Sequence, residues 1–230
     1  MEEAITIGQA TLYLGDAYAI RPTLGRMDVD VMDPPYRFNA VGAGKFRAAR
    51  QATHMLIAEG MDKGFDHSII NPLLCGSCIV FFHPDQLLDL GDHLRGNFRR
   101  MVLCQWIKEN PAPHRNKNYI FDSEPYFHAW NEGLHPVGAH EDMHRYVFAP
   151  VAPSKIYDHP TVKPDRVMAK IMANVNGQTI CDPFMGTGST GVAAIRAGKR
   201  FYGIEKNPKH FETACNRISA AVAEMEARAA

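Results

Sequence analysis

The segment Ile180–Asn207, ICDPFMGTGSTGVAAIRAGKRFYGIEKN, decides the fold. QTICD, from Gln178, is a short apolar strand ending in an acid; GSTGVAAIRAGK predicts a helix that stops at Gly198, and RFYGIE a second strand. Gly186 and Gly188 let the backbone turn tightly and approach a ligand at a helix N-terminus, and Glu205 closes the next strand 17 residues beyond Gly188. In such units that acid commonly accepts hydrogen bonds from ribose hydroxyls, so the ligand carries a nucleoside. Gly186, Gly188 and Gly191 match the Gly-x-Gly-x-x-Gly spacing, which on this signal alone leaves a dinucleotide open. No lysine follows the glycines, so a Walker-type phosphate loop is excluded.

Upstream, the chain alternates strand-like and helix-like pieces. ATLYL (10–14) and the run from Val29 to Asp33 read as strands around a short helix from Ala17 to Gly25, and CIVFFHP (78–84) as a strand covered on both faces. A helix over 85–94 precedes RMVLCQWIK, read as another buried strand, and strand-like pieces recur around Phe127 and Val147. HPTVKPDRVMAKIMANVNG opens a helix with Pro164 in its first turn, and a final helix from Pro208 carries Phe211, Cys215, Ile218, Val222 and Met225 on one face. This alternation predicts an α/β fold, doubly wound around a mainly parallel sheet. Residues 37–70, with NAVGAGKF, read as a mobile flap containing a helix over 46–59.

A second motif raises a sharper question. VDVMDPPYRF (29–38) runs an apolar strand into an acid, two prolines and a tyrosine. Pro34 and Pro35 forbid a continued ladder or a helix, and each holds its predecessor extended, so Asp33 and Tyr36 sit in a stiff kink just past a strand end. In a chain of this composition Phe-x-Gly-x-Gly arises by chance roughly once in 14 sequences, but Asp-Pro-Pro-Tyr roughly once in 500. The conjunction of the two carries the reading.

Composition sets outer bounds. At 230 residues and 46% hydrophobic, the chain can bury the core of one domain, with a small inserted region. The acidic start MEEAITIGQ and the lack of a long apolar run imply a soluble, cytoplasmic protein with no membrane partner. The five cysteines, an odd number in mostly apolar surroundings, suit reduced thiols. Net charge is zero, but residues 93–119 hold a local excess of five positive charges beside Trp106 and Tyr119, and this suits either a solvated face or a nucleic-acid surface.

Asp33-Pro34-Pro35-Tyr36, HPTVKP (159–164) and DPFMGTGST (182–190) together resemble the amino-methylating DNA methyltransferases of the permuted beta class, in which the catalytic motif precedes the cofactor motif. The resemblance implies a Rossmann-like sheet of seven strands, with the strands ending at Asp33 and Asp182 adjacent at the switch point. It implies S-adenosylmethionine as cofactor, double-stranded DNA as partner, and a prokaryotic or phage-infected cell as setting. Asp33 and the Pro34 carbonyl would accept the two N–H bonds of an exocyclic base amine, and the rigid prolines would hold these acceptors in place. Tyr36 would offer its ring to a flipped base. Phe184, Gly186, Thr187 and Gly188 match the family's cofactor turn, with Ser189 beside them; Asp182 matches the acid near the methionine ammonium. Glu205 matches the ribose acceptor, followed by Lys206 and Asn207. Thr161, Lys163 and Pro164 match the element lining the methionine side, with Val162 where glutamine is common. Asp16 resembles an acid near the cofactor adenine, though a helix N-cap explains it equally well.

Base recognition would fall in the variable region, narrowed to 108–158, with Lys108, His114, Arg115, Asn116 and Lys117 as candidate DNA contacts, mostly to phosphates. A reader so compact implies a short site, or a homodimer in which each subunit lengthens the footprint. Aspartate at position 33 favours adenine N6 as the target over cytosine N4, where serine is frequent. RNA and a noncatalytic binding subunit are lesser alternatives. His140-Glu141-Asp142-Met143-His144 matches the zinc-protease motif, but the charged residues within it and the glycines and proline before it argue for a loop, and no metal is expected. Cys75 and Cys78 have no second pair at zinc-ribbon spacing and read as core.

Overall fold

The computed structural model describes residues 4–37, 64–111, 119–151 and 162–229. Nine strands form one sheet: β1 (Ala4–Ile7), β2 (Ala10–Leu14), β3 (Met27–Met32), β4 (Cys75–Phe81), β5 (Arg100–Lys108), β6 (Ser123–Trp130), β7 (Tyr146–Ala149), β8 (Thr179–Asp182) and β9 (Arg200–Glu205). The order across the sheet is β1-β2-β9-β8-β3-β4-β6-β5-β7. The five strands from β2 to β4 are mutually parallel, and β1 and β6 run against their neighbours. The sheet has nine strands where seven were expected, with β1 and β7, four residues each, at its two edges. β1 escaped the sequence reading because its side chains lie largely exposed and carry no burial pattern.

Helices α1 (Ala17–Ile20) and α2 (Leu87–Asn97) cover one face; α3 (Asp165–Asn174), α4 (Ser189–Arg196) and α5 (Pro208–Ala229) cover the other. Each face has its own buried cluster. Val29 and Val31 of β3 pack with Ile180, Val167, Ile171 and Phe201 on the α3–α5 side. Met32 packs with Ile20, Val80, Leu90 and Leu94 on the other. β4 is buried along its whole length, as its continuous apolar run predicts. β5 was read as equally buried, but only Trp106 is, because the strand lies one place from the sheet edge and exposes Leu103 and Gln105. The helix expected over 17–25 is one α turn followed by a 3-10 turn, Arg21–Leu24, with Pro22 near its start. Pro164 stands at the N-cap of α3, one place before the first turn where it was expected.

Asp28 sets the register that brings the two motifs together. Its Oδ2 accepts from the backbone N–H groups of Gln178 and Thr179 (2.8 and 2.9 Å) and from Thr179 Oγ1 (2.8 Å), which pins the start of β8 to β3. Val29 then pairs with Ile180 and Asp30 with Cys181, so β3 and β8 end side by side. The Gly/Ala-rich segment at 39–46 and the helix read over 46–59 lie outside the described residues. Among the described residues no helix is long and apolar enough to cross a membrane.

Candidate active site

A cavity of about 630 Å³ opens where β3, β8 and β9 end. This is the position at which open parallel sheets bind ligands, outside the carboxyl ends of the strands. Asp33 and Pro35 reach it from the loop after β3, Asp182 to Thr187 from the turn after β8, and Glu205 to Asn207 from the end of β9. Asp16, Tyr18, Val162, Lys163 and Ser189 complete the wall, with His210 from α5.

The glycine turn has the geometry its sequence requires. Gly186 and Gly188 adopt φ of 52° and 84°, in the left-handed region that other residues rarely enter. A Cβ on Gly186 would meet nothing within 4 Å, so the space above the turn is open, whereas one on Gly188 would lie 3.0 Å from Ala214 Cβ. Glu205 ties the turn to β9: Oε2 accepts from Gly186 N–H (2.9 Å) and Oε1 from Asn207 N–H (2.7 Å). Burial raises the Glu205 carboxyl. Asp182 accepts from Thr190 Oγ1 (2.5 Å) and from Phe184 N–H (2.9 Å). Burial, with Asp33 and Glu205 nearby, pushes its pKa up to about 7 against those hydrogen bonds. With Asp16 and Asp33, four carboxyls thus line one cavity, an arrangement that favours a cationic ligand. Phe184 meets Tyr18 and Phe65 edge to face, each at 6.1 Å between centroids, and forms an aromatic wall.

Asp33 is held from both sides. Tyr36 Oη donates to Oδ1 (2.6 Å) and the Lys163 ammonium donates to Oδ2. Burial and the Asp33 charge raise the Tyr36 hydroxyl well above its ordinary value, so it stays a donor. Pro34 is buried and lies off the cavity wall, which Pro35 lines instead. Of the other sequence-derived site residues, Gly188 caps α4, Pro164 caps α3, and neither lines the cavity. Asp16 has the helix N-cap role foreseen for it. It lines the cavity, and its Oδ1 caps α1 by accepting from Tyr18 N–H (2.9 Å) and Ala19 N–H (3.3 Å). Thr161, His114, Arg115, Asn116 and Lys117 fall outside the described residues. Lys108, offered as a DNA contact, forms an ion pair of 2.8 Å with Glu124 instead of projecting freely.

Sequence reasoning missed Glu124, Tyr18 and His210. Tyr18 stands two places after Asp16, and its pairing with Phe184 needed the fold to become visible. Glu124 had no signal beyond being an acid at the start of an apolar strand. The segment His140–Met143 is an exposed 3-10 turn, and among the described residues no group of three or more His, Cys, Asp or Glu is placed to hold a metal ion. Cys75 and Cys78 are buried in β4.

The type II methyltransferase M2.DpnII of Streptococcus pneumoniae is 41% identical to this chain over 64 residues, a match spanning 27% of this chain and 24% of that protein. Among solved structures, the M1.HpyAVI–SAM complex superposes with a TM-score of 0.67 at 22% identity, covering 91% of this chain and 99% of that one. The PvuII DNA methyltransferase, described as cytosine-N4-specific, superposes at 0.66 with 12% identity, covering 97% and 93%. At those identities the two structures establish the fold. The family N6_N4_Mtase, DNA methylase, matches residues 28–216, a span that takes in Asp33, Lys163 and the glycine turn together, and the chain belongs to that family.

Proposed function

We propose that the protein transfers a methyl group from S-adenosylmethionine to the exocyclic N6 of a flipped adenine in double-stranded DNA. The observation that carries this reading is the convergence of Asp33, from one motif, and Asp182, Gly186 and Glu205, from another 149 to 172 residues away in sequence, on a single cavity.

The residues present fit the cofactor. Asp182 would face its ammonium and Glu205 would meet the ribose hydroxyls, and the space above Gly186 admits backbone-close packing. Tyr18 and Phe184 offer flat apolar surface to its adenine, with Asp16 at the rim. When bound, S-adenosylmethionine supplies a methyl group made electrophilic by the sulfonium. A base amine is a poor nucleophile because its lone pair is delocalised into the ring. Asp33 accepts one N–H of that amine through a lone pair left free by Tyr36 and Lys163, and so encourages the nitrogen toward a tetrahedral geometry. The N–C bond would form as the S–C bond breaks, leaving a neutral thioether, and the methylated, briefly cationic amine would pass one proton to Asp33 or to water. Asp33 need not be a strong base for that step, since the cationic amine is acidic. Positioning and preorganised charge account for much of the rate.

DNA is held in this reading by the segment His114–Lys117, mainly through phosphates. Nucleoside analysis of duplex DNA incubated with the protein and labelled cofactor tests the assignment. N6-methyladenine is the expected product; N4-methylcytosine would move the target to the other exocyclic amine, and no label in DNA would overturn the function.

A further inference from the structure

Lys163 is the most thoroughly enclosed cation at the site, and its partners extend beyond the cavity. Its side chain is 6% exposed, and the ammonium lies 4.8 Å from the Phe81 ring centroid and 5.8 Å from that of Tyr36. On the cavity side it donates to Asp33; on the other, it lies 3.3 Å from Glu124 Oε2, an ion pair without hydrogen-bond alignment. That oxygen is sealed from solvent and has no hydrogen bond of its own. Glu124 Oε1 meets Lys108 Nζ at 2.8 Å, and Lys108 in turn lies 5.3 Å over Trp106. The result is a row of four alternating charges, Asp33, Lys163, Glu124 and Lys108, drawn from the β3 loop, the segment before α3, the start of β6 and the end of β5. Glu124 is absent from the cavity wall.

We propose that Glu124 is a positioning residue for methyl transfer: it holds the Lys163 ammonium against Asp33 and cancels its charge. The inference rests on the methyltransferase reading above and extends it to a residue no motif marks. During transfer, positive charge moves from the cofactor sulfur onto an amine beside Asp33. A lysine balanced by Asp33 alone opposes this movement; one also paired with Glu124 opposes it less. Burial alone would draw the Lys163 ammonium down, and Asp33 and Glu124 together hold it above its ordinary value. Burial would likewise raise the Glu124 carboxyl, but Lys163 and Lys108 hold it below the usual range. Among the described residues Tyr36 also contacts Asp33, and it stays protonated.

The test is single-turnover methylation of duplex DNA by wild type, Glu124→Gln and Glu124→Asp. The glutamine variant is expected to slow transfer on the order of tenfold, with cofactor Kd and DNA KM within about threefold of wild type, and the aspartate variant to recover part of the rate. Because Lys163 keeps only one counter-charge in Glu124→Gln, the alkaline limb of the pH–rate profile moves to lower pH. In a Lys163→Gln background, Glu124→Gln should add nothing further, since Glu124 acts through Lys163. Should Glu124→Gln not fold, Lys108→Gln, which frees the Glu124 carboxylate to swing away from Lys163, is expected to slow single-turnover transfer by about threefold, a smaller loss than Glu124→Gln. Wild-type transfer rates in Glu124→Gln, additive losses in the double variant, or a Lys108→Gln variant that loses DNA affinity with kcat intact would overturn the proposal. Absence of methylation by the wild type would overturn the function instead, so the two failures are distinguishable.

Discussion

At the scale of single residues, the proposed reaction assigns Asp33 to the acceptor and Asp182 and Glu205 to the cofactor. Asp33 has one oxygen on Tyr36 and the other on Lys163, while Asp182 and Glu205 are engaged by the backbone and a hydroxyl of their own segment, Ile180–Asn207. Asp33→Ala therefore removes the acceptor's partner and leaves the cofactor's. Methyl transfer should fall by at least about a thousandfold while cofactor Kd, measured by calorimetry, stays within about fivefold. A comparable loss of cofactor affinity would show that the roles are wrongly divided. Tyr36 bears on the same acid in a way its sequence did not reveal. The resemblance cast it as a stacking surface, yet its hydroxyl donates to Asp33 over 2.6 Å, so Tyr36→Phe, which keeps the ring, separates the two roles. A drop in kcat on the order of tenfold in that variant would assign the hydroxyl to holding Asp33, and an unchanged rate would assign Tyr36 to stacking alone.

At the scale of elements, the strand ends set the charge of the cavity. Asp182 closes β8, and with a pKa of about 7 it is only partly ionised at neutral pH. Its folded-state pKa lies above the unfolded value, so its protonated form stabilises the ligand-free protein below pH 4, and that contribution is lost as pH rises through about 7. A cationic ligand reverses the balance because it needs the carboxylate. Cofactor affinity should therefore rise about tenfold between pH 6 and pH 8, and Asp182→Asn should flatten the dependence, both measurable by calorimetry. The elements that place this acid were the legible ones. β3, β4, β8 and β9 announce themselves by apolar runs closed by an acid, a proline or a glycine, most plainly β4, which is buried along its whole length. β1 and β5 were less legible because edge and near-edge strands carry exposed side chains that hide the pattern. The row Lys108–Glu124–Lys163 was invisible for another reason: its members are 16 and 39 residues apart, and only the antiparallel pairing of β5 with β6 brings the first two together.

At the scale of the whole molecule, the center of the sheet contains a charge pair with no part in the chemistry. Arg21 and Asp30 are both fully buried, with Arg21 Nε and Nη2 donating to the two carboxylate oxygens at 3.0 and 2.9 Å and the remaining guanidinium bonds going to the Gly25 and Leu74 carbonyls. Asp30 lies between Cys78 of β4 and Cys181 of β8, so the pair anchors the 3-10 turn after α1 to the middle of the sheet. Burial pushes the Asp30 carboxyl up to about 6 against the pull of Arg21, and it remains ionised at neutral pH. Arg21→Met removes that pull and strands the acid, with an expected loss of about 3–5 kcal/mol in urea unfolding at pH 7.5. Asp30 then escapes its charge by protonating, so the deficit should shrink as pH falls toward 5 and grow toward 8, because a raised folded-state pKa favours the folded protein only while the group is protonated. Replacing both residues, Arg21→Met with Asp30→Leu, should recover most of the stability, since a well-packed apolar pair avoids the desolvation that the ion pair must offset. A double variant as unstable as the single one would mean that the hydrogen bonds from Arg21 to Gly25 and Leu74, not the balance of charge, hold this turn against the sheet.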